Sequence, residues 1–491
     1  MTVSDRSHSS GFTRRLSWLS AAAVIAALAT PACQPEAQPK DEGQRPNVLF
    51  ILTDAHRAST MGCYGDEDAI TPNLDALAAE GMRLTTAISN TPVCRPYRAS
   101  LMTGALGHHA GLVGNWSEHN VNDTVTEQYA PGTLPKGHQW TPDGAGTPHR
   151  VGMPDGAGTP DRMATLGSVF SDAGYRCGYV GKWHLGKVDV EPGPLRMGFD
   201  DFWAVSSEPA HEYWDWSYFT GAGPSVDQKG VFKPTVDTDL AQQFIDQDDD
   251  RPWMLMLSWA GPHKPFEAPE KFQHFDHVQP LPNVRKGPRP DLAGYHAMIE
   301  ALDSETGRLL AHLDQRGLAE NTIVVYTSDH GSLLGSHGMG GKELPFDGST
   351  RVPFLVRWPG HITAEQTFTP PLSTPDILPT LAGLAGLTVP AVPDGIDLSA
   401  QLLGAPDERT DPAAYLAGYA SPAAKTKPTW RGLRTERYLF ACTEAGPWIL
   451  YDMLEDPYEL NNLVESGHPL VAEFHARTMA TMEANGDAWL H

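Results

Sequence analysis

The chain has 491 residues, 40% of them apolar and 20% charged, which excludes a small peptide, wholesale disorder and a polytopic membrane protein and leaves room for two or three domains. Lys plus Arg number 36 against 60 Asp plus Glu, a formal net charge of -24. The surface as a whole therefore repels nucleic acid and acidic lipid, and an anionic substrate requires a local basic pocket.

Residues 1–33 read as an export signal: Arg14 and Arg15, an apolar stretch from Leu16 to Ala29, then small residues up to Ala32 and Cys33. The apolar run is shorter than the roughly 20 residues a spanning helix requires. Cys33 stands where a bacterial lipoprotein carries its lipid, with residues 34–45 as a tether, although Thr30 occupies a place where such signals usually have Leu. The expectation is an exported protein, periplasmic or membrane-anchored through a lipidated Cys33.

Residues 46–395 are expected to form an α/β catalytic domain. NVLFILT at Asn47 to Thr53 is apolar and short enough for a strand buried on both faces, and it ends at Asp54. Thr71 can cap a helix that begins at Pro72 and that Gly81 stops. Similar strands follow at Tyr175 to Gly181, leading to Lys182, at Trp253 to Trp259, leading to His263, and at Thr322 to Thr327, leading to Asp329. Apolar residues at helical spacing run from Tyr295 to Leu313 between the last two. Strands alternating with helices predict a mostly parallel central sheet flanked by helices. In such sheets ligands bind beyond the carboxyl ends of the strands, so Asp54, Lys182, His263, Asp329 and His330 are expected to meet in one crevice. The plain alternative for each is a polar residue at a strand end facing solvent.

Thr141 to Arg162 contains PDGAGTP twice, read as a duplicated surface loop. His211 to Phe219, HEYWDWSYF, is dense in aromatics and is expected to pack against the main domain rather than to stack on sugar. After the Pro-rich stretch Val389 to Asp394, residues 396–491 are expected to form a smaller C-terminal subdomain. WRGLRTERYLFACT and WILYDML supply its antiparallel strands, with a helix near Pro469 to Asn485.

The most informative segment is CRPYRASLMTG, Cys94 to Gly104. Pro96 suits the first turn of a helix, and Cys94 and Arg98 are then i and i+4 on one face. Free N–H groups at such a terminus, together with a guanidinium, attract a tetrahedral oxyanion. Here the chain resembles the type I sulfatases of the alkaline phosphatase-like superfamily, in which Cys-x-Pro-x-Arg marks a cysteine oxidised to formylglycine. Tyr97 departs from the Ser many members carry. GKWHLG at Gly181, GPHKPF at Gly261, TSDHG at Thr327, GK at Gly341, RVP at Arg351 and YDMLEDPYELNNL at Tyr451 follow in the family's order. The resemblance spans nearly all of the chain from Pro46 onward.

The resemblance implies that Asp54, Asp329 and His330, with the modified Cys94 side chain, hold one divalent cation, Ca2+ first, with Mg2+ or Mn2+ open. Many members have a second acid where this chain has Ala55, so a water or His56 is left to fill that position. It further implies that a hydroxyl of the formylglycine hydrate attacks sulfur while Arg98, Lys182 and Lys342 neutralise the sulfate oxygens. His263, with Lys342, would protonate the leaving alcohol, and His184 would take the proton of the second hydroxyl to expel sulfate. The partners implied are a sulfated small molecule or glycan and, during maturation, a formylglycine-generating enzyme. Two rivals stand beside this reading: a phosphonate monoester or phosphodiester hydrolase, suggested by the reduced acid pair, and a non-catalytic surface protein that binds sulfated glycans. With Cys33 and Cys94 assigned, at most one disulfide is left among Cys63, Cys177 and Cys442.

Overall fold

A computed structural model describes residues 45–115, 164–193, 196–207, 210–284, 291–390, 394–420, 427–487 and 489. The export signal, Cys33, the tether up to residue 44 and both PDGAGTP copies lie outside the described residues.

The strands are β1 (Asn47–Asp54), β2 (Met82–Leu84), β3 (Ala87–Ile88), β4 (Arg176–Gly181), β5 (Phe202–Ser206), β6 (Asp215–Phe219), β7 (Val226–Lys229), β8 (Trp253–Pro262) and β9 (Thr322–Ser328). They continue with β10 (Arg351–Val352), β11 (Phe354–Arg357), β12 (Gln366–Phe368), β13 (Leu372–Ser373), β14 (Ala414–Gly418), β15 (Trp430–Arg434), β16 (Tyr438–Thr443) and β17 (Gly446–Asp452). The main helices are α1 (Pro72–Ala79), α2 (Cys94–Thr103), α3 (Leu166–Asp172), α4 (Lys233–Ile245), α5 (Leu292–Gln315) and α6 (Leu470–Ala484).

Ten strands form one sheet in the order β12-β2-β11-β9-β1-β8-β4-β5-β6-β7. Its centre, β9 to β5, is parallel, and β11, β6 and β7 run antiparallel to their neighbours. β1 explains why the sheet is covered on both sides. All eight of its residues are buried, and successive side chains point to opposite faces: Val48, Phe50 and Leu52 enter one apolar cluster, Leu49 and Ile51 the other. The expected α/β class is the observed one, and the expected strands and helices appear within a few residues of their predicted ends.

HEYWDWSYF resolves into a loop followed by β6. Tyr213 is fully buried and donates its hydroxyl hydrogen bond to the Ala260 and His263 carbonyls at 2.9 and 2.6 Å, so packing is its role. The four strands β14 to β17 form a separate antiparallel sheet against which α6 packs through Phe474 and Met482. The other face of that sheet shares an apolar cluster with Leu333, Leu344 and Phe346 of the loop after β9. Among the described residues the four cysteines are free, so no disulfide joins Cys63, Cys177 and Cys442.

Candidate active site

The carboxyl edge of the parallel strands collects the chemistry. Asp54 ends β1, Lys182 directly follows β4, His263 directly follows β8, and Asp329 and His330 follow β9. Cys94 opens α2, whose Gly104 closes it in the left-handed region at φ 65°. Oxygen, nitrogen and sulfur atoms of Asp54, Cys94, Asp329 and His330 all lie within 4.8 Å of one another, and all four residues are buried.

Cys94 Sγ is 3.2 Å from His330 Nε2, 3.8 Å from Asp54 Oδ1 and 2.8 Å from Lys342 Nζ. Burial and Asp54 push its thiol up, but Lys182, Lys342 and His330 outweigh them and hold it well below the ordinary cysteine range. The Lys342 ammonium is raised in turn: burial opposes its charge, and Cys94, Asp54 and Asp329 favour it. Asp54 ion-pairs with Lys182, which also lies 2.8 Å from His211 Nε2. Burial opposes ionisation of Asp54, yet Lys182 and the neighbouring histidines keep it well below the usual carboxylate range. Asp329 is raised by burial and by the Asp54 charge. Two desolvated carboxylates this close call for positive charge.

These donors fit a hard divalent cation. Two carboxylates supply oxygen, and the His330 Nδ1–H donates to the Gly331 carbonyl at 2.8 Å, which turns Nε2 toward Cys94 and both carboxylates as the ring atom that would bind an ion. Ala55, in place of a second acid, is left-handed at φ 65° and offers its backbone N–H to Asp329 Oδ1 at 3.2 Å. His56 does not fill the gap. Its Nδ1 pairs with the Tyr326 hydroxyl at 3.0 Å, its ring stands edge-on to that phenol, and it is absent from the four-residue cluster.

Four of the five Arg98 N–H groups bond protein, and Nη2 also lies 3.7 Å from Asp54 Oδ2. Nε and Nη2 bond Asp329 Oδ2 at 3.2 and 3.0 Å, and Nη1 bonds the Lys182 carbonyl and Ser258 Oγ at 2.9 and 2.7 Å. His263 donates from Nδ1 to the Lys264 carbonyl at 2.7 Å, and burial lowers its pKa to about 3. His184 lies two residues beyond Lys182 on the same loop, with left-handed φ 59°.

His211 is a residue that the sequence did not single out. Its ring stacks on His263 with centroids 3.7 Å apart at 11°, and Nε2 is 3.6 Å from Asp54 Oδ2. Asp54, His211 and His263 thus form a second group adjoining the first. The only signal in the sequence was a histidine at the head of an aromatic-rich segment.

A family profile described as Sulfatase matches residues 46–387. The chain belongs to the sulfatase family. As a sulfatase it is a sulfuric ester hydrolase. A second profile, N-sulphoglucosamine sulphohydrolase, C-terminal, matches residues 335–484 of this sulfatase. It is similar to an ulvan-active sulfatase of Formosa agariphila, 34% identical over 443 residues that cover 87% of this chain and 78% of the relative. It is also similar to an endo-4-O-sulfatase of Bacteroides thetaiotaomicron, 26% identical over 523 residues that cover 93% and 95%. A solved Bacteroides thetaiotaomicron structure from work on glycosaminoglycan metabolism matches this sulfatase with a TM-score of 0.75 at 26% identity, covering 91% of this chain and 98% of that one.

Proposed function

We propose that this sulfatase hydrolyses sulfate monoesters of carbohydrate through a formylglycine made from Cys94 and one divalent cation held by Asp54, Asp329, His330 and the position 94 side chain. The observation that carries this reading is the meeting of Cys94 Sγ with Asp54, His330 and Lys342 at the head of α2. Glycan substrates are supported by the relatives, one named for ulvan and one for endo action. Ca2+ is the first candidate, because paired carboxylates suit a hard cation; Mg2+ and Mn2+ are the alternatives.

A formylglycine hydrate at position 94 would supply one hydroxyl as nucleophile toward sulfur and a second as the later exit for sulfate, and a cation held by Asp54, Asp329 and His330 would favour ionisation of the first. The chain's own residues do the rest. Lys182, ion-paired with Asp54, and Lys342, against the position 94 side chain, neutralise the sulfate oxygens. Arg98 holds Asp329 and the Lys182 loop with four of its five N–H groups, and its charge joins theirs beside the ester. His263, with Lys342, is assigned to protonate the leaving oxygen. His184 is assigned to the proton of the second hydroxyl.

The test is co-expression with a formylglycine-generating enzyme, followed by mass spectrometry of the tryptic peptide containing Cys94 and by assay. Sulfate and phosphonate esters of one phenol, and sulfated oligosaccharides, are the substrates. The expected result is an aldehyde at position 94, dominant sulfate-ester turnover, loss of turnover in Cys94→Ser and loss on chelation. Full activity with an intact thiol would falsify the mechanism, and a dominant phosphonate rate would replace the substrate class. Export and lipidation at Cys33 are proposed on the sequence alone; they predict that labelled fatty acid enters the wild type and not Cys33→Ser, and equal labelling would refute the anchor.

A further inference from the structure

The segment Tyr451–Leu463 has no part in the chemistry above, yet it reaches the loop that carries Lys342. That loop, from Gly331 to Phe346, contains no helix or strand. Several of its residues, Leu334, His337 and Glu343 among them, sit in the left-handed region at φ 46°, 57° and 79°. Local backbone preference does not enforce such a path, so tertiary contacts must hold it.

The contacts come from the C-terminal sheet and the turn after it. Glu459 is 3% exposed. One carboxylate oxygen accepts from the Asp347 backbone N–H at 2.7 Å, and the other lies 2.9 Å from His337 Nε2, which donates to it. Glu459 thereby grips the loop on both sides of Lys342. The turn that presents it is fixed: Asp456 accepts from Leu460 N and Asn461 N at 2.9 and 2.7 Å, and Glu459 itself is held at φ 56°. From β15 and the residues before it, Lys427 Nζ donates to the Lys342 carbonyl at 2.7 Å and to Glu343 Oε2 at 2.8 Å, and Trp430 Nε1 donates to the Glu343 carbonyl at 2.9 Å. Leu344 and Phe346 are buried in one cluster with Trp430, Leu439 and Tyr451.

We propose that Glu459 and Lys427 are positioning residues for Lys342: the C-terminal sheet sets where the Lys342 ammonium stands against position 94, so that the sheet is part of the catalytic apparatus rather than an appended support. The proposal rests on the sulfatase reading for what Lys342 does, but not for how it is held. Neither residue touches position 94 in the contacts described; both act through the loop backbone.

The experiment is a double-mutant cycle on the full-length, formylglycine-containing protein, measuring kcat and KM for an aryl sulfate and the affinity for inorganic sulfate. Glu459→Ala and Lys427→Met should each lower kcat/KM by about 10-fold or more, the scale expected when a catalytic group is displaced by an ångström or so. Glu459→Gln, which keeps an acceptor oxygen, should recover most of the loss. In a Lys342→Ala background the same substitutions should change kcat/KM by less than about 2-fold, because coupled residues are not additive. Should that background turn over too slowly to measure, sulfate affinity closes the same cycle. Penalties as large without Lys342 as with it, or full activity in both single variants, overturn the proposal. If Glu459→Ala does not fold, Lys427→Met decides, since that side chain is 26% exposed. A wild type inactive on every sulfate ester would defeat the functional reading instead, and the sulfate-affinity cycle would still decide the clamp.

Discussion

Around Cys94 three cationic side chains each stand against an identified partner, which lets several ionisable groups share one buried space. Lys182 faces Asp54, Arg98 faces Asp329, and Lys342 faces the Cys94 sulfur. A buried charge stripped of its partner costs several kcal/mol, so conservative losses here should damage both fold and rate. His211 separates the two effects. His211→Phe keeps a ring to stack on His263 but removes the acceptor for Lys182. We expect kcat/KM to fall by about 10- to 100-fold, the scale of a lost positioning contact, with little change in melting temperature. A rate within 2-fold of wild type, about 0.4 kcal/mol, would exclude a role for that contact. His211 was barely legible in the sequence because its approach to Lys182 depends on the path of the loop before β6, and no local period encodes that path. Asp54, Cys94 and Asp329 were legible because each sits at the junction of a strongly patterned element with a motif.

Elements deliver these side chains through particular backbone shapes. Gly181 ends β4 at φ 96°, and a Cβ there would stand 2.1 Å from the Ser258 carbonyl oxygen, the same oxygen that accepts from Lys182 N at 2.7 Å. Gly181→Ala must therefore either break that bond or push β4 from β8. We expect a melting temperature several degrees lower, reflecting about 2 kcal/mol or more, and activity reduced at least about 10-fold because Lys182 moves. Thermal denaturation and kinetics on the purified variant check both, and a wild-type profile would mean that the strand end is more forgiving than its packing implies. The long apolar strands and α5 were readable from pattern. The two- and three-residue strands β2, β3, β10, β12 and β13 were not, since a run that short has no measurable alternation and exists only through its partners.

Across the whole molecule, acidic excess and buried carboxylates set the pH response. Asp376 is 7% exposed, and burial raises it to about 6 from 3.8 against the opposing N–H bonds of Ile396 and Ser373. A carboxyl raised in the folded state contributes stability that is complete below its unfolded value and is lost as pH rises through about 6; a displacement of this size is worth about 3 kcal/mol. The melting-temperature advantage of wild type over Asp376→Asn should accordingly shrink as pH goes from about 4 to about 7. An advantage that stays constant or grows would show that the N–H bonds, not burial, govern this carboxyl.

By itself the sequence determined the α/β class, the order of the central strands and helices, and the motif residues, because hydrophobic period and strand-end position are local properties that survive in a one-dimensional string. It also carried the resemblance that named the chemistry. Only the tertiary structure decided that Arg98 serves Asp329, that His56 turns away to Tyr326, that His211 joins His263, and that Glu459 reaches back across more than a hundred residues to the loop of Lys342. Those choices depend on which irregular segments come within a few ångströms of each other, and that is fixed by packing of the finished sheets rather than by any preference of the residues themselves.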